Sequence, residues 1–244
     1  MAPKQGFHPN DPQQFAPDQL HILHQASADM NYLRTRDYAD ESALKLVGDR
    51  YQLSARQRRA IRGASCSDPS LIHRRNAALS ADAIAGRTLW IDGYNLLITL
   101  TTARAGGPLI RGRAGALRDL AGLHSGYRPD TDTPELLALI QTCLQPLGVH
   151  AVHWSFDRPI SKSGQLARLI HEEALAHGWP WTAETVPDPD PLLRAAPADH
   201  VLVTSDAGIL DNTHAFWFDL TGYIISHTSP QAWIVDWWTP AIDP

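Results

Sequence analysis

Apolar residues fall along this chain in two regimes. From Asp18 they recur at helical spacing: Leu20, Leu23 and His24 stand at i, i+3 and i+4, with Asp18 after Pro17 as the expected cap. A second helix from about Asp40 is predicted to bury Leu44, Val47 and Tyr51. In a third, SARQRRAIRG, Ser54 caps and Ala60 and Ile61 face inward while Arg58 and Arg62 share the outer face. Further along the pattern changes. Strand-like runs TLWID (88–92), AVHWSFD (151–157), WTAETV (181–186), HVLVTSD (200–206) and a weaker AFWFDL (215–220) alternate with helical stretches at Pro134–Leu147 and Gly164–His177. Strand, helix, strand repeated in this way predicts parallel strands joined by right-handed crossovers. The expected fold class is α/β, a Rossmann-like α/β/α sandwich with a mostly parallel sheet, preceded by an all-α region. Residues 1–17, rich in Pro and polar side chains, read as a flexible tail, 18–85 as the helical region and 86–244 as the α/β domain.

Composition narrows this picture. With 43% apolar and 19% charged residues in 244, the chain can bury a sizeable core. Two cysteines, Cys66 and Cys143, exclude a disulfide scaffold or a Cys-rich zinc module. No apolar run approaches the roughly 18 residues of a membrane span, and no apolar leader segment opens the chain, so a soluble, cytoplasmic protein is expected. Charge is divided unevenly. Residues 1–88 carry 12 Lys/Arg against 9 Asp/Glu, whereas 89–244 carry 9 against 17. The arginines of the third helix follow the turn Gln52-Leu53-Ser54, a helix-turn-helix layout without the usual turn glycine. A nucleic-acid grip or a solvated bundle face both fit that pattern.

Three predicted strands end on aspartate: Asp92, Asp157 and Asp206. An open parallel sheet binds ligands beyond the carboxyl ends of its strands, so these groups are expected to converge there. VPDPDPLL adds Asp188 and Asp190, and Asp211 follows Asp206. Two carboxylates about 4 Å apart repel by roughly 4 kcal/mol at an effective dielectric near 20. Such a cluster takes up protons or holds a cation, and aspartate oxygens suit Mg²⁺ or Mn²⁺. Gly93 is expected to let the backbone bend after the first strand, and Asn95 to open the next helix, its amide orienting a metal-bound water or Asp92 itself, or only capping that helix.

WIDGYNLL, SFDRP and VLVTSD resemble the first, a middle and the late strand of PIN-like ribonuclease domains, and the NYN and YacP-like branch most of all. The resemblance spans residues 86–225. It implies a Rossmann-like fold and a nuclease that cuts RNA, sometimes DNA, with Mg²⁺ or Mn²⁺ held by clustered acids. It also implies roles for Asp92 as first metal-binding acid, Asn95 as its companion, Asp190 (or Asp188) as the central acid and Asp206 as the late acid. Asp157 and Asp211 are further candidate ligands, Asp211 standing in where relatives place an acid at the positions of Gly208 or Ile209. The helical half, with YADESALKLVGDRY, resembles an uncharacterised prokaryotic family that joins such a region to this kind of domain.

Candidate phosphate contacts are Arg158, Ser161 and Lys162 at the predicted start of the helix after Asp157, where free N–H groups suit an anion. Arg113 is another, beside the Gly-rich RAGGPLIRGRAG, with Tyr127 and Arg128 forming a further polar network. Gly107 to Gly112 has the P-loop interval, but Arg113-Ala114 replaces Lys-Ser/Thr. Seven of the eight Trp follow position 150, and the tail AWIVDWW can clasp either the domain or a second copy in a homodimer. HEEALAH lacks the histidine spacing of a zinc protease helix, no G-x-S-x-G occurs, and Tyr94 stands where a phosphatase places its second Asp. The sequence reading is therefore a metal-dependent nuclease favouring RNA. Its alternatives are a non-catalytic nucleic-acid or partner-docking protein with a degenerate site, and a small phosphoester hydrolase.

Overall fold

The computed structural model describes residues 6–120, 127 and 129–238. The chain forms two compact units: one from residues 1–76, 101–121 and 231–244, the other from 77–100 and 122–230. Segments 101–121 and 231–244 thus join the helical unit, although the pattern along the chain assigns them to the α/β domain. No helix among the described residues is long and apolar enough to cross a membrane.

The helical unit is built on α1 (Asp11–Gln14), α2 (Pro17–Thr35), α3 (Asp40–Arg50), α4 (Ala55–Ala64) and α5 (Asp68–Ala77). Ala16, not Asp18, is the N-cap of α2, because Pro17 at the first helical position needs no donor and Asp18 then falls inside the first turn. The buried stripe of α2 is Leu23, Ala26, Ser27, Met30 and Asn31, which meets Ala43 and Val47 of α3 and Ala60 and Ile61 of α4 in one core. Ser54 and Gln57 close a reciprocal capping box at the head of α4. Gln52 adopts φ 52° between α3 and α4, so the turn keeps the left-handed residue that glycine usually supplies.

Several arginines of this unit are spent on its structure. Arg58 spans the α3–α4 corner, donating to the carbonyls of Leu53 (3.0 Å) and Lys45 (3.4 Å) and to Asp49 (2.8 Å). Its guanidinium lies where a side chain on Gly48 would sit, so this glycine serves close approach. Arg62 pairs with Asp40 and Glu41. Arg56 meets the fully buried Asp11 at 2.5 and 2.8 Å. Residues 6–17, expected as part of a tail, therefore hold a short helix and an internal ion pair. The AWIVDWW segment supplies a strand as well. In a three-stranded sheet β2 (Leu109–Arg111) lies between β3 (Leu117–Arg118) and β8 (Ile234–Val235), with Leu109 opposite Ile234. Trp237 is buried, and the Trp238 indole donates to the Arg111 carbonyl at 2.9 Å. The Gly107–Gly112 stretch runs into β2 rather than a helix, so it is no phosphate-cradling P-loop.

The second unit carries β1 (Thr88–Asp92), β4 (Ala151–Asp157), β5 (Trp181–Val186), β6 (Val201–Val203) and β7 (Phe216–Trp217), all parallel, in the order β5-β4-β1-β6-β7. Leu89, Ile91, Val152, Trp154 and Phe156 on one face are fully buried. The other helices are α6 (Gly93–Arg104), α7 (Thr133–Leu144), α8 (Ser163–His177), α9 (Pro189–Arg194), α10 (Ala207–Leu210) and α11 (Leu220–Thr228). β1 leads through its connection to β4 on one side, whereas β6 lies on its other side. The strand order therefore reverses at the β1–β6 crevice, the switch point where doubly wound sheets hold ligands beyond their carboxyl ends. The unit is α/β with a five-stranded parallel sheet.

Candidate active site

Asp92 ends β1 at that crevice. Its Oδ1 accepts the Asn95 backbone N–H (3.2 Å), which opens α6, and its Oδ2 accepts the Thr204 hydroxyl (3.0 Å) from beyond β6. Thr204 in turn accepts the Asp206 N–H (3.0 Å). The Asn95 amide does not touch Asp92. It donates to the Ser205 hydroxyl (3.0 Å) and accepts the Ser205 N–H (2.9 Å), clamping the chain after β6 against the start of α6. Thr204 and Ser205 are thus the residues that sequence reasoning missed. Their signal is two adjacent hydroxyls directly before Asp206, opposite the D-G-Y-N turn.

Gly93 needs no positive φ. A Cβ there would lie 2.1 Å from the Phe156 ring, so this position is glycine because β4 crowds the start of α6, not because the chain bends. β6 stops at Val203, three residues short of Asp206. Asp206 is consequently the N-cap of α10, its Oδ1 accepting from Gly208 (2.6 Å) and Ile209 (3.2 Å). Asp188 caps α9 through the Asp190 N–H (3.0 Å). α9 packs against β1 and β4, and α10 against α9, which carries Asp190 and Asp206 to the end of the sheet.

The electrostatics record this convergence. Burial first, then the charges of Asp206 and Asp190, push Asp92 up to about 7 against the hydrogen bonds from Asn95 and Thr204. Asp190 is raised by burial, then by Asp206 and Asp188, with Arg194 opposing and Asp157 adding. Asp157 is raised by burial and by Asp188. Asp92, Asp190 and Asp206 therefore form one mutually repelling group, and Asp157 and Asp188 adjoin it through Asp190. Asp211 is the exposed C-cap of α10 and is not among the groups acting on Asp92 or Asp190. Among the described residues no three His, Cys, Asp or Glu stand close enough to enclose an ion.

Tyr94, between Gly93 and Asn95, packs edge-on against Phe156 with ring centroids 5.2 Å apart. Burial, and then the Asp157 charge, push its phenol up to about 12. The side chain is only 6% exposed, and its buried hydroxyl has no hydrogen-bond partner among the described residues.

Arg158, Ser161 and Lys162 lie between the end of β4 and α8, all exposed. Arg158 donates to the Thr185 carbonyl (3.0 Å), and Lys162 takes the N-cap position of α8 with φ 69°. Arg113 belongs to the helical unit, its guanidinium committed to the Cys66 carbonyl (2.9 Å) and Asp68 (2.7 Å). Tyr127 bonds Thr133 at 2.8 Å, and Arg128 lies outside the described residues.

Fold and crevice define the class: an α/β unit with a carboxylate cluster at the switch point of a parallel sheet. The chain belongs to the family described as domain of unknown function (DUF5616), whose model matches residues 81–223 and so takes in the five-stranded sheet and all five clustered aspartates. Residues 22–76, covering most of α2 and all of α3 and α4, match a second model, protein of unknown function (DUF434). The chain is similar to the uncharacterized protein MJ0935 of Methanocaldococcus jannaschii, with 28% identity over 154 residues, 63% of this chain and 74% of that protein. No solved structure matches.

Proposed function

We propose that the crevice takes a divalent cation, Mg²⁺ or Mn²⁺, and that the protein is a PIN-like, metal-dependent phosphodiesterase of nucleic acid, with RNA the favoured substrate. One observation carries this reading: Asp92, Asp190 and Asp206 come from three separate segments and repel one another at a parallel-sheet switch point. The donor atoms are of the kind a hard cation takes, and Asp92, Asp190 and Asp206 would have to draw together on binding, since no three such groups among the described residues now stand close enough to enclose an ion. The carboxylates supply oxygen ligands, and an ion would offset the burial, and then the repulsion from Asp206 and Asp190, that raise Asp92. Asp92, Asp190 and Asp206 would hold the ion, with Asp157 and Asp188 as outer acids. When bound, such an ion supplies an acidified water and stabilises the leaving oxygen of a phosphodiester.

The remaining work falls to the chain itself. Thr204 couples Asp92 to Asp206 by donating to one and accepting from the other, so the two acids move as one piece. Asn95 holds that piece against α6 through Ser205. Arg158 and Lys162, exposed beside the end of β4, offer cationic contacts to phosphate. Arg113 is left out because its donors are taken. A second reading, a nucleic-acid binder with a degenerate site, is favoured by the capping duties of Asp188 and Asp206.

Cleavage of labelled single-stranded RNA and DNA with Mn²⁺ separates the two. Asp92→Asn and Asp206→Asn should abolish cutting while leaving the fold intact, since Asn is as good an N-cap as Asp. Equal background activity in wild type and both variants rejects the enzyme and leaves the binder.

A further inference from the structure

The five-stranded sheet has two edges, and the chain treats them differently. Beyond β7, Ala78 bridges Trp217 and the Leu79 N–H donates to the Trp217 carbonyl at 2.8 Å, so that edge is covered. β5 forms the other edge, and among the described residues no strand lies beyond it. Its register decides which backbone groups face outward. The Val152 N–H donates to the Pro180 carbonyl (2.9 Å) and the Arg158 N–H to the Val186 carbonyl (2.7 Å), with Val152 opposite Trp181 and Asp157 opposite Val186. Residues 180, 182, 184 and 186 therefore bond to β4, while Trp181, Ala183 and Thr185 turn their N–H and C=O away from it. Any edge strand presents such a row to water. What singles out β5 is which groups in the row are already taken. The Trp181 N–H donates to the Trp179 carbonyl (2.8 Å), and the Thr185 carbonyl accepts from Arg158 (3.0 Å). The Trp181 carbonyl, both groups of Ala183 and the Thr185 N–H meet no partner among the described residues. WTAETV also lacks Pro, Lys and Arg, residues that commonly blunt an edge.

We propose that β5 is an interface at which two copies of this chain pair antiparallel, edge to edge, about a two-fold axis at Ala183. In that register Ala183 faces Ala183 of the second copy, and each N–H donates to the other's carbonyl. Two residues along, the Thr185 N–H meets the Trp181 carbonyl of the second copy, and the same bond repeats across the axis. These bonds use every outward group that is free. The two that are taken, the Trp181 N–H and the Thr185 carbonyl, fall opposite each other and need nothing. An unrelated strand would bring an acceptor to the first and a donor to the second, and both would go unpaired. The row is thus complementary to itself, which selects a second copy over other occupants. Side chains agree. The exposed Thr182 stands opposite the exposed Glu184 of the second copy, so the only charge on the strand does not meet itself. Two five-stranded sheets then become one. The pairing needs no cation, so it stands or falls apart from the chemistry of the crevice.

Sedimentation of the full chain from about 1 µM to about 1 mM should show a monomer–dimer equilibrium. Ala183→Pro removes the N–H at the axis and leaves the β4 ladder alone, because that N–H faces outward and edge strands tolerate proline. It should abolish the dimer with circular dichroism unchanged. If Ala183→Pro does not fold, position 182 decides. Thr182→Lys and Thr182→Glu lose the same hydroxyl contact with His153, yet only lysine sets an opposite charge beside Glu184 of the second copy. The lysine variant should dimerise about ten- to a hundredfold more tightly than the glutamate variant. Amide exchange at Ala183 and Thr185 should slow as concentration rises, in step with the dimer. A monomer throughout the range, a dimer that survives Ala183→Pro, or equal dimerisation of the two position-182 variants overturns the proposal. Protection of those amides in the dilute monomer overturns it too, since another segment of the chain would then cover the edge.

Discussion

Asp92 should make the free protein's stability fall with pH, and Asp92→Asn should remove its share of that fall. In the folded chain its carboxyl titrates near 7, against an ordinary value of 3.8. Below about pH 4 both folded and unfolded chains carry the proton. Between pH 4 and 7 the unfolded chain loses it and the folded chain keeps it. The folded state then binds more protons, so stability drops as pH rises and levels off above 7. A displacement from 3.8 to about 7 corresponds to about 4 kcal/mol as an upper figure. Asp190 and Asp157, also raised, add to the slope in the same direction.

Asparagine keeps the acceptor for the Asn95 N–H and carries no titrating charge. Urea unfolding without metal, followed by circular dichroism from pH 4.5 to 8, should show the two proteins close at the acid end. At pH 8 the variant should be ahead by about 2–4 kcal/mol. Mn²⁺, which binds the ionised form, should restore wild type more at pH 8 than at pH 5 and leave the variant nearly unmoved. Parallel curves for wild type and variant across the range would refute the burial argument for Asp92.

Other residues give sharp expectations. Arg58→Ala should destabilise the helical unit by about 1–2 kcal/mol in denaturant midpoints, because three acceptors at the α3–α4 corner lose their donor. An unchanged midpoint would return Arg58 to the pool of free surface charges. Gln52→Gly should stabilise the same corner by about 0.5–1 kcal/mol, since glycine adopts φ 52° without steric cost. Gly93→Ala should cost about 3 kcal/mol or more by calorimetry, as its methyl would meet the fully buried Phe156 ring. A neutral result there would show that β4 gives way.

Local pattern reached a long way into this protein. β1, β4 and β5 begin and end where alternation and the terminal Asp92, Asp157 and Val186 place them. α4 starts at the Ser54 cap. These features depend on residues within a few positions of one another, and side-chain periodicity reports them directly. The parallel order of the sheet followed from the same alternation, and with it the gathering of acids at one edge.

What local pattern could not supply is partnership across the chain. Arg58 and Arg62 look alike on a solvated face and on a nucleic-acid grip until Asp49 and Asp40 are seen beside them. Asp11 sits in a Pro-rich stretch that composition reads as a tail, and its burial exists only because Arg56, 45 residues away, meets it. The pairing of β8 with β2 joins positions more than 120 residues apart, with no local signal on either side. Gly93 and Tyr94 are decided by Phe156, a residue of another strand. The sequence alone therefore determined the elements and the chemistry they carry. Only the tertiary structure decided which charges are paired with neighbours and which gather at the end of the sheet, because that depends on contacts between segments that do not adjoin along the chain.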